Sequence, residues 1–187
     1  MKFILASKSP RRKELLNKIG LKFKILDSKI DESIISINNT PHNYSMQLAN
    51  LKAESISKDY PEYTVIGADT VVVINKTILN KPKNLNQAKE MSNLLSGKEH
   101  KVITGVSLKN ESLKISESFY DTSFIKFYKL SVEEINRYLD IYKPFDKAGS
   151  YGIQDYASLF VRRIRGSYDN IVGFPTSKFY QILKKYI

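Results

Sequence analysis

The chain has 187 residues, no cysteine and two histidines, with 30 basic residues against 19 acidic ones for a formal charge of +11. Disulfides and thiolate metal sites are therefore excluded, and the wide separation of His42 and His100 argues against histidine-bound zinc. No run of about 18 apolar residues is present to span a membrane, and the opening apolar run is too short for a secretory signal, so a cytoplasmic protein is expected.

Phe3 to Ala6 reads as a buried strand, followed at once by Ser7-Lys8-Ser9-Pro10-Arg11-Arg12 and a helical apolar spacing at Leu15, Leu16 and Ile19. Ser9 suits the N-cap and Pro10 the first helical position, where a missing N–H costs nothing. Arg11 and Arg12 then stand on the first turn, where the helix dipole disfavours cations. A bound phosphate reverses that sign, because helix N-termini and guanidinium forks both favour it.

Lys22 to Leu26 reads as a second strand, and Asp27 to Glu32 as an acidic loop. Pro41 to Lys58 has the spacing of an amphipathic helix and contains Lys52. Tyr63 to Ile74 is the most apolar run, rich in β-branched residues, and predicts a central strand buried on both faces. Asp69 in its middle is the sharpest anomaly, since a carboxylate among Val and Ile is costly unless paired or metal-bound. The competing reading ends the strand at Ala68 and leaves Asp69 and Thr70 in a bulge or on a sheet edge.

Asn75-Lys76 predicts a turn back through Ile78 and Leu79. Asn84 with Gln87 opens a helix to Leu95, and Ser131 with Glu134 forms a capping box for a helix to Tyr142. Lys101–Leu108 and Ser112–Tyr128 are expected as long strands joined by a turn at Lys109-Asn110. Leu159 to Ile164 is expected as a strand, Gly166 to Gly173 as a loop, and Pro175 as the start of a closing helix. The fold class is α/β: one domain over 1–187, with a long twisted mixed β-sheet flanked by helices.

Ser7 to Arg12, Glu32, Asp69-Thr70, Lys81, Lys52 and the loop from Lys147 to Gln154 offer charged and polar groups at element ends. Carboxylates with several cations, lacking cysteine or paired histidine, suit Mg²⁺-assisted phosphoryl chemistry. No Walker A or Gly-x-Gly-x-x-Gly motif is present. The cluster Arg162, Arg163 and Arg165 gives only weak support to nucleic-acid binding, because alternation along a strand divides it between faces.

Leu5-Ala6-Ser7-Lys8-Ser9-Pro10-Arg11-Arg12-Lys13-Glu14-Leu15-Leu16 resembles the N-terminal signature of the Maf family of nucleotide pyrophosphatases. Gly67-Ala68-Asp69-Thr70-Val71-Val72, Lys81-Pro82, Leu95 to Val106 and Asp146 to Gln154 resemble its later blocks in order and spacing. The resemblance implies the inosine triphosphate pyrophosphatase fold and cleavage of a nucleoside triphosphate between its α- and β-phosphates. It implies Asp69 as the catalytic acidic residue, with Glu32 and Asp69 holding a divalent cation, Mg²⁺ or Mn²⁺. Whether Asp69 takes the proton of the attacking water or holds the metal stays open at this point. Ser7, Arg11, Lys52 and Lys81 fall at the phosphate-facing positions. Arg12, Thr70 and Gln154 match the three positions of the subgroup acting on dTTP and UTP. Asp155-Tyr156 and Phe174 depart from the residues usual in the family. A homodimer is expected from the family and from apolar surface on the long middle strands. The alternatives are the same chemistry on 7-methyl-GTP or other purine or modified nucleotides, and a non-catalytic nucleic-acid-binding or cell-division role.

Overall fold

Strand β1 (Lys2–Ala6) runs through a turn into helix α1 (Pro10–Lys18) in the computed structural model, which describes residues 1–32, 35 and 40–187. Ser9 is the N-cap and Pro10 opens the helix, but the Ser9 side chain makes no capping bond. Its backbone N–H donates instead to Ser7 Oγ at 3.2 Å. Ile19 is not part of the buried stripe: it is the exposed C-cap, followed by Gly20 at φ 76°. Gly20 N–H bonds to Asn17 O and Leu21 N–H to Leu16 O, a closure that uses glycine's freedom in the left-handed region.

Strand β2 (Phe23–Leu26) pairs parallel with β1, and β1 pairs parallel with β3 (Tyr63–Ile74), Leu5 standing opposite Ile66. Every residue of β3 except Tyr63 and Thr70 is buried. The strand does not end at Ala68; it carries Asp69 through its centre. Sheet order is β2-β1-β3-β5-β6-β7, with β4 (Thr77–Leu79) antiparallel on β3.

The chain divides into two compact units, one of Met1–Thr70, Thr104–Asp121 and Gly173–Ile187, the other of Val71–Ile103 and Thr122–Val172. In the first, helix α2 (Pro41–Ser57) packs on the sheet through Ala53 and Ile56, which meet Ile4, Ala6 and Val65. Burying a large aliphatic side chain of this kind is worth roughly 1.5–3 kcal/mol. In the second, Asn75 and Lys76 take φ of 50° and 68° and make the tight hairpin into β4. Helix α3 (Leu85–Leu95) is capped by Asn84, and α4 (Val132–Tyr142) by the reciprocal Ser131–Glu134 box.

Several boundaries differ from those expected. The long strands are β5 (Glu99–Asn110) and β6 (Ile115–Phe127), so the turn lies at 111–114. Asn110 is buried at the end of β5, where its side chain bonds Thr64 Oγ1 and accepts Leu113 N–H, which starts the turn after it. Leu159 lies in a 3-10 turn (Tyr156–Phe160), and β7 runs from Val161 to Arg165. Gly166 to Gly173 is not wholly a loop, since it contains the short helix α5 (Tyr168–Val172), where Ser167 Oγ accepts Asn170 N–H. The apolar side chains of β5 and β6 are largely buried, with Tyr120 the one large exposed apolar residue on them. Helix α6 (Thr176–Leu183) closes the chain. No helix among the described residues is long and apolar enough to cross a membrane.

Candidate active site

Val65, Gly67 and Asp69 alternate onto one face of β3, and α2 lies against that face. The approach is close enough that a Cβ on Gly67 would overlap Ala49 O and crowd Ala53 N. A Cβ on Gly105, in β5, would overlap the backbone of Ser45 and Met46. Two missing side chains thus let the helix rest on the sheet backbone. Lys52, one residue before Ala53, is carried onto the next residue of that face.

Lys52 Nζ donates to Asp69 Oδ1 at 2.7 Å and lies 2.8 Å from Glu32 Oε1. Lys52 and Asp69 are both buried, at 8% and 9% exposure, while Glu32 is exposed. Helical periodicity alone favours a solvated Lys52; the structure buries it. Desolvation pushes the Asp69 carboxyl above its ordinary range, and Lys52 and Arg12 pull it back. Asp69 and Glu32 converge on one cation, the donor chemistry of a hard divalent ion, which commonly takes one or two carboxylates and completes its shell with water and phosphate oxygens. Among the described residues no cluster of three or more acidic, histidine or cysteine ligands forms. These two carboxylates fit a shared metal of that kind and not a closed protein cage.

Thr70 points away from Asp69, as the next residue of a strand must. Its Oγ1 accepts Arg12 Nη2–H at 3.1 Å and lies 3.0 Å from Thr104 Oγ1 and 3.4 Å from Gly173 O. Arg12 also donates from Nε to Gly173 O at 3.0 Å and from Nη1 to Ser7 Oγ at 3.3 Å. The guanidinium therefore ties the β1–α1 turn, the centre of β3 and the start of the C-terminal segment together. Burial lowers its pKa from the ordinary value, and attraction to Asp69 opposes that. Ser7, Arg12, Glu32, Lys52, Asp69 and Thr70 are brought together in this unit; Arg11 is half-buried beside Arg12 on α1. Thr104 and Gly173 were not singled out by the sequence reading. Their signal was faint: a threonine beside Gly105 and a glycine ending a loop.

In the second unit Lys81 and Gln154 are exposed. Gln154 is held between two anchors: Gly152 N–H donates to Tyr138 Oη at 3.1 Å, and that hydroxyl donates to Asp155 Oδ1 at 3.2 Å. Burial raises the Tyr138 hydroxyl above its usual range. Lys147 pairs with Asp146 at 2.8 Å. His100 is a core residue, 2% exposed, bonded through Nε2 to Tyr151 Oη at 2.8 Å and edge-on to Phe127. Burial drives its pKa down to about 3. Arg163 and Arg165 share a face of β7 and both pair with Glu99, while Arg165 stacks on Phe124. That basic cluster is in part internally neutralised.

The pattern of the Maf-like protein family matches residues 2–186, and the chain belongs to that family. A dTTP/UTP pyrophosphatase of Clostridioides difficile is 48% identical, with all of this chain and 95% of the relative aligned. One of Carboxydothermus hydrogenoformans is 43% identical, over 100% of this chain and 99% of that protein. Among solved structures, a HAM1 protein from Coxiella burnetii covers 99% of both chains with a TM-score of 0.56 at 11% identity. The expected family and fold are both borne out, the latter at the level of architecture.

Proposed function

We propose that this chain is a nucleoside triphosphate pyrophosphatase that hydrolyses dTTP and UTP to the monophosphate and pyrophosphate. The observation that carries the reading is the buried Lys52–Asp69 pair, beside Glu32, on the same strand segment as the Arg12–Thr70 network. Full-length relatives named for that activity support the substrate class.

In this reading a water oxygen bonds to phosphorus as the α–β phosphoanhydride P–O bond breaks, and pyrophosphate leaves. Asp69 takes up the water's proton. Lys52 fixes the carboxylate's orientation through Oδ1 and offsets charge on the triphosphate. A divalent cation, Mg²⁺ or Mn²⁺, held by Asp69 and Glu32 supplies Lewis-acid polarisation of phosphate oxygens when bound. Ser7 and Arg11 bind phosphate at the start of α1, where backbone N–H groups favour an anion. Lys81 as a phosphate ligand, and Arg12, Thr70 and Gln154 as base-selecting residues, rest on the family resemblance. The reading takes 1–187 as one functional domain acting as a homodimer on a cytoplasmic nucleotide pool.

The test is pyrophosphate release from a panel of nucleoside triphosphates with Mg²⁺ or Mn²⁺, then with chelator. Metal-dependent release from dTTP and UTP above purines is expected. Release from 7-methyl-GTP or inosine triphosphate instead keeps the chemistry and overturns the base preference. A folded protein that releases nothing overturns the reading.

A further inference from the structure

Thr104 is fully buried in β5 and faces the hydroxyl of Thr70 across 3.0 Å. A hydroxyl has one proton to give and two lone pairs to fill. Thr70 Oγ1 already accepts from Arg12 Nη2, so the direction of the Thr104 contact decides what else Thr70 can do. If Thr104 donates, both lone pairs of Thr70 are filled and its proton is directed to Gly173 O, 3.4 Å away. If Thr70 donates to Thr104, one lone pair stays open and Thr70 presents an acceptor.

Only the second arrangement leaves Thr70 a lone pair for a base. Uracil and thymine carry an N3–H donor, whereas cytosine presents a bare N3 acceptor. Only an acceptor at Thr70 complements the first pair. A buried site built for one hydrogen-bonding pattern rejects the other strongly, because a mismatched polar group is left unpaired.

We propose that Thr104 is a positioning residue that orients the Thr70 proton away from the base, so that Thr70 accepts from a pyrimidine N3–H. This rests on the reading above that Thr70 contacts the base. Thr104 touches no substrate in this scheme; it acts through Thr70, which Arg12 and Gly173 O hold from the other sides. Its burial keeps water from substituting for it.

The experiment compares kcat/KM for UTP and CTP in wild type, Thr104→Val, Thr104→Ser and Thr70→Val, with thermal unfolding as the check on folding. Thr104→Val keeps the shape and removes the hydroxyl, leaving only Gly173 O, 3.4 Å away and already bonded to Arg12, to hold the Thr70 proton, which can then turn to a cytosine N3; the UTP-over-CTP preference is expected to fall by about tenfold or more. Thr104→Ser is expected to restore that preference. Should Val not be tolerated, Thr104→Ala removes the same hydroxyl with less bulk. An altered preference in Thr70→Val with none in folded Thr104→Val or Thr104→Ala overturns the role of Thr104 alone. An unaltered preference in Thr70→Val overturns the base-contact reading, and the role of Thr104 with it. Loss of preference in Thr104→Val that Thr104→Ser fails to restore shows a packing effect and overturns the proposal.

Discussion

Two buried polar pairs, Lys52–Asp69 in the first unit and His100–Tyr151 in the second, answer the same cost in different ways. His100 is held neutral: its pKa falls to about 3, its Nε2 meets an uncharged hydroxyl, and its Nδ1 has no partner among the described residues. Asp69 is also desolvated, yet Lys52, Arg12 and Glu32 all act on it electrically. A fold that needs only a packed polar residue lets it shed its charge. Charges gathered in a buried place, with partners of both signs, mark a site poised to do chemistry.

The comparison is broken most severely at Asp69. Asp69→Asn is expected to lower pyrophosphate release by on the order of a thousandfold while the circular dichroism spectrum stays native. Gly67→Ala should follow, because its new Cβ meets helix backbone that cannot rotate aside. A loss of about 3 kcal/mol in denaturant unfolding, with activity falling alongside, is the expected result. Lys52→Met sharpens the electrostatic half. With Asp69 as the proposed base, which must be ionised to work, activity should rise with pH through its pKa. Removing the ammonium takes away a pull that lowers that pKa, so the acid limb of the kcat/KM profile should move to higher pH.

His100 supplies the neutral arm of the contrast. Its folded pKa lies below the ordinary 6.5, so between those values the unfolded chain binds more protons. Stability is therefore lost as pH falls from about 6.5 towards 3, by up to about 1.4 kcal/mol per pH unit from this group. His100→Phe should remove one proton's worth of that slope in unfolding titrations. The smallest effect belongs to Asp146→Asn. It breaks a pair with an exposed carboxylate and should cost less than about 1 kcal/mol.

Much of this was legible in the chain. Asp69 stood out because a charge inside a β-branched run contradicts its surroundings, and Ser131 with Glu134 marked α4 because capping is local chemistry. Lys52 was obscure because helical spacing does not report how near a helix comes to a sheet. That distance is set by Gly67 and Gly105, which meet α2 only after folding. The Thr104–Thr70–Arg12–Gly173 connection joins residues up to 161 positions apart, and no local pattern encodes it. Strand ends at Asn110 and the five-residue α5 were misjudged for a related reason: a side chain bonding its own turn, and a helix too short for periodicity to register.

The burial of Lys52 also sets its reactivity towards reagents. An amine must meet an electrophile before it is acylated, and this one is buried, with its Nζ engaged by two carboxylates. The many exposed lysines of the chain should be modified first, leaving Lys52 a slow-reacting internal standard. Its labelling rate, followed by mass spectrometry, would then report directly when a ligand draws the ammonium away from Asp69.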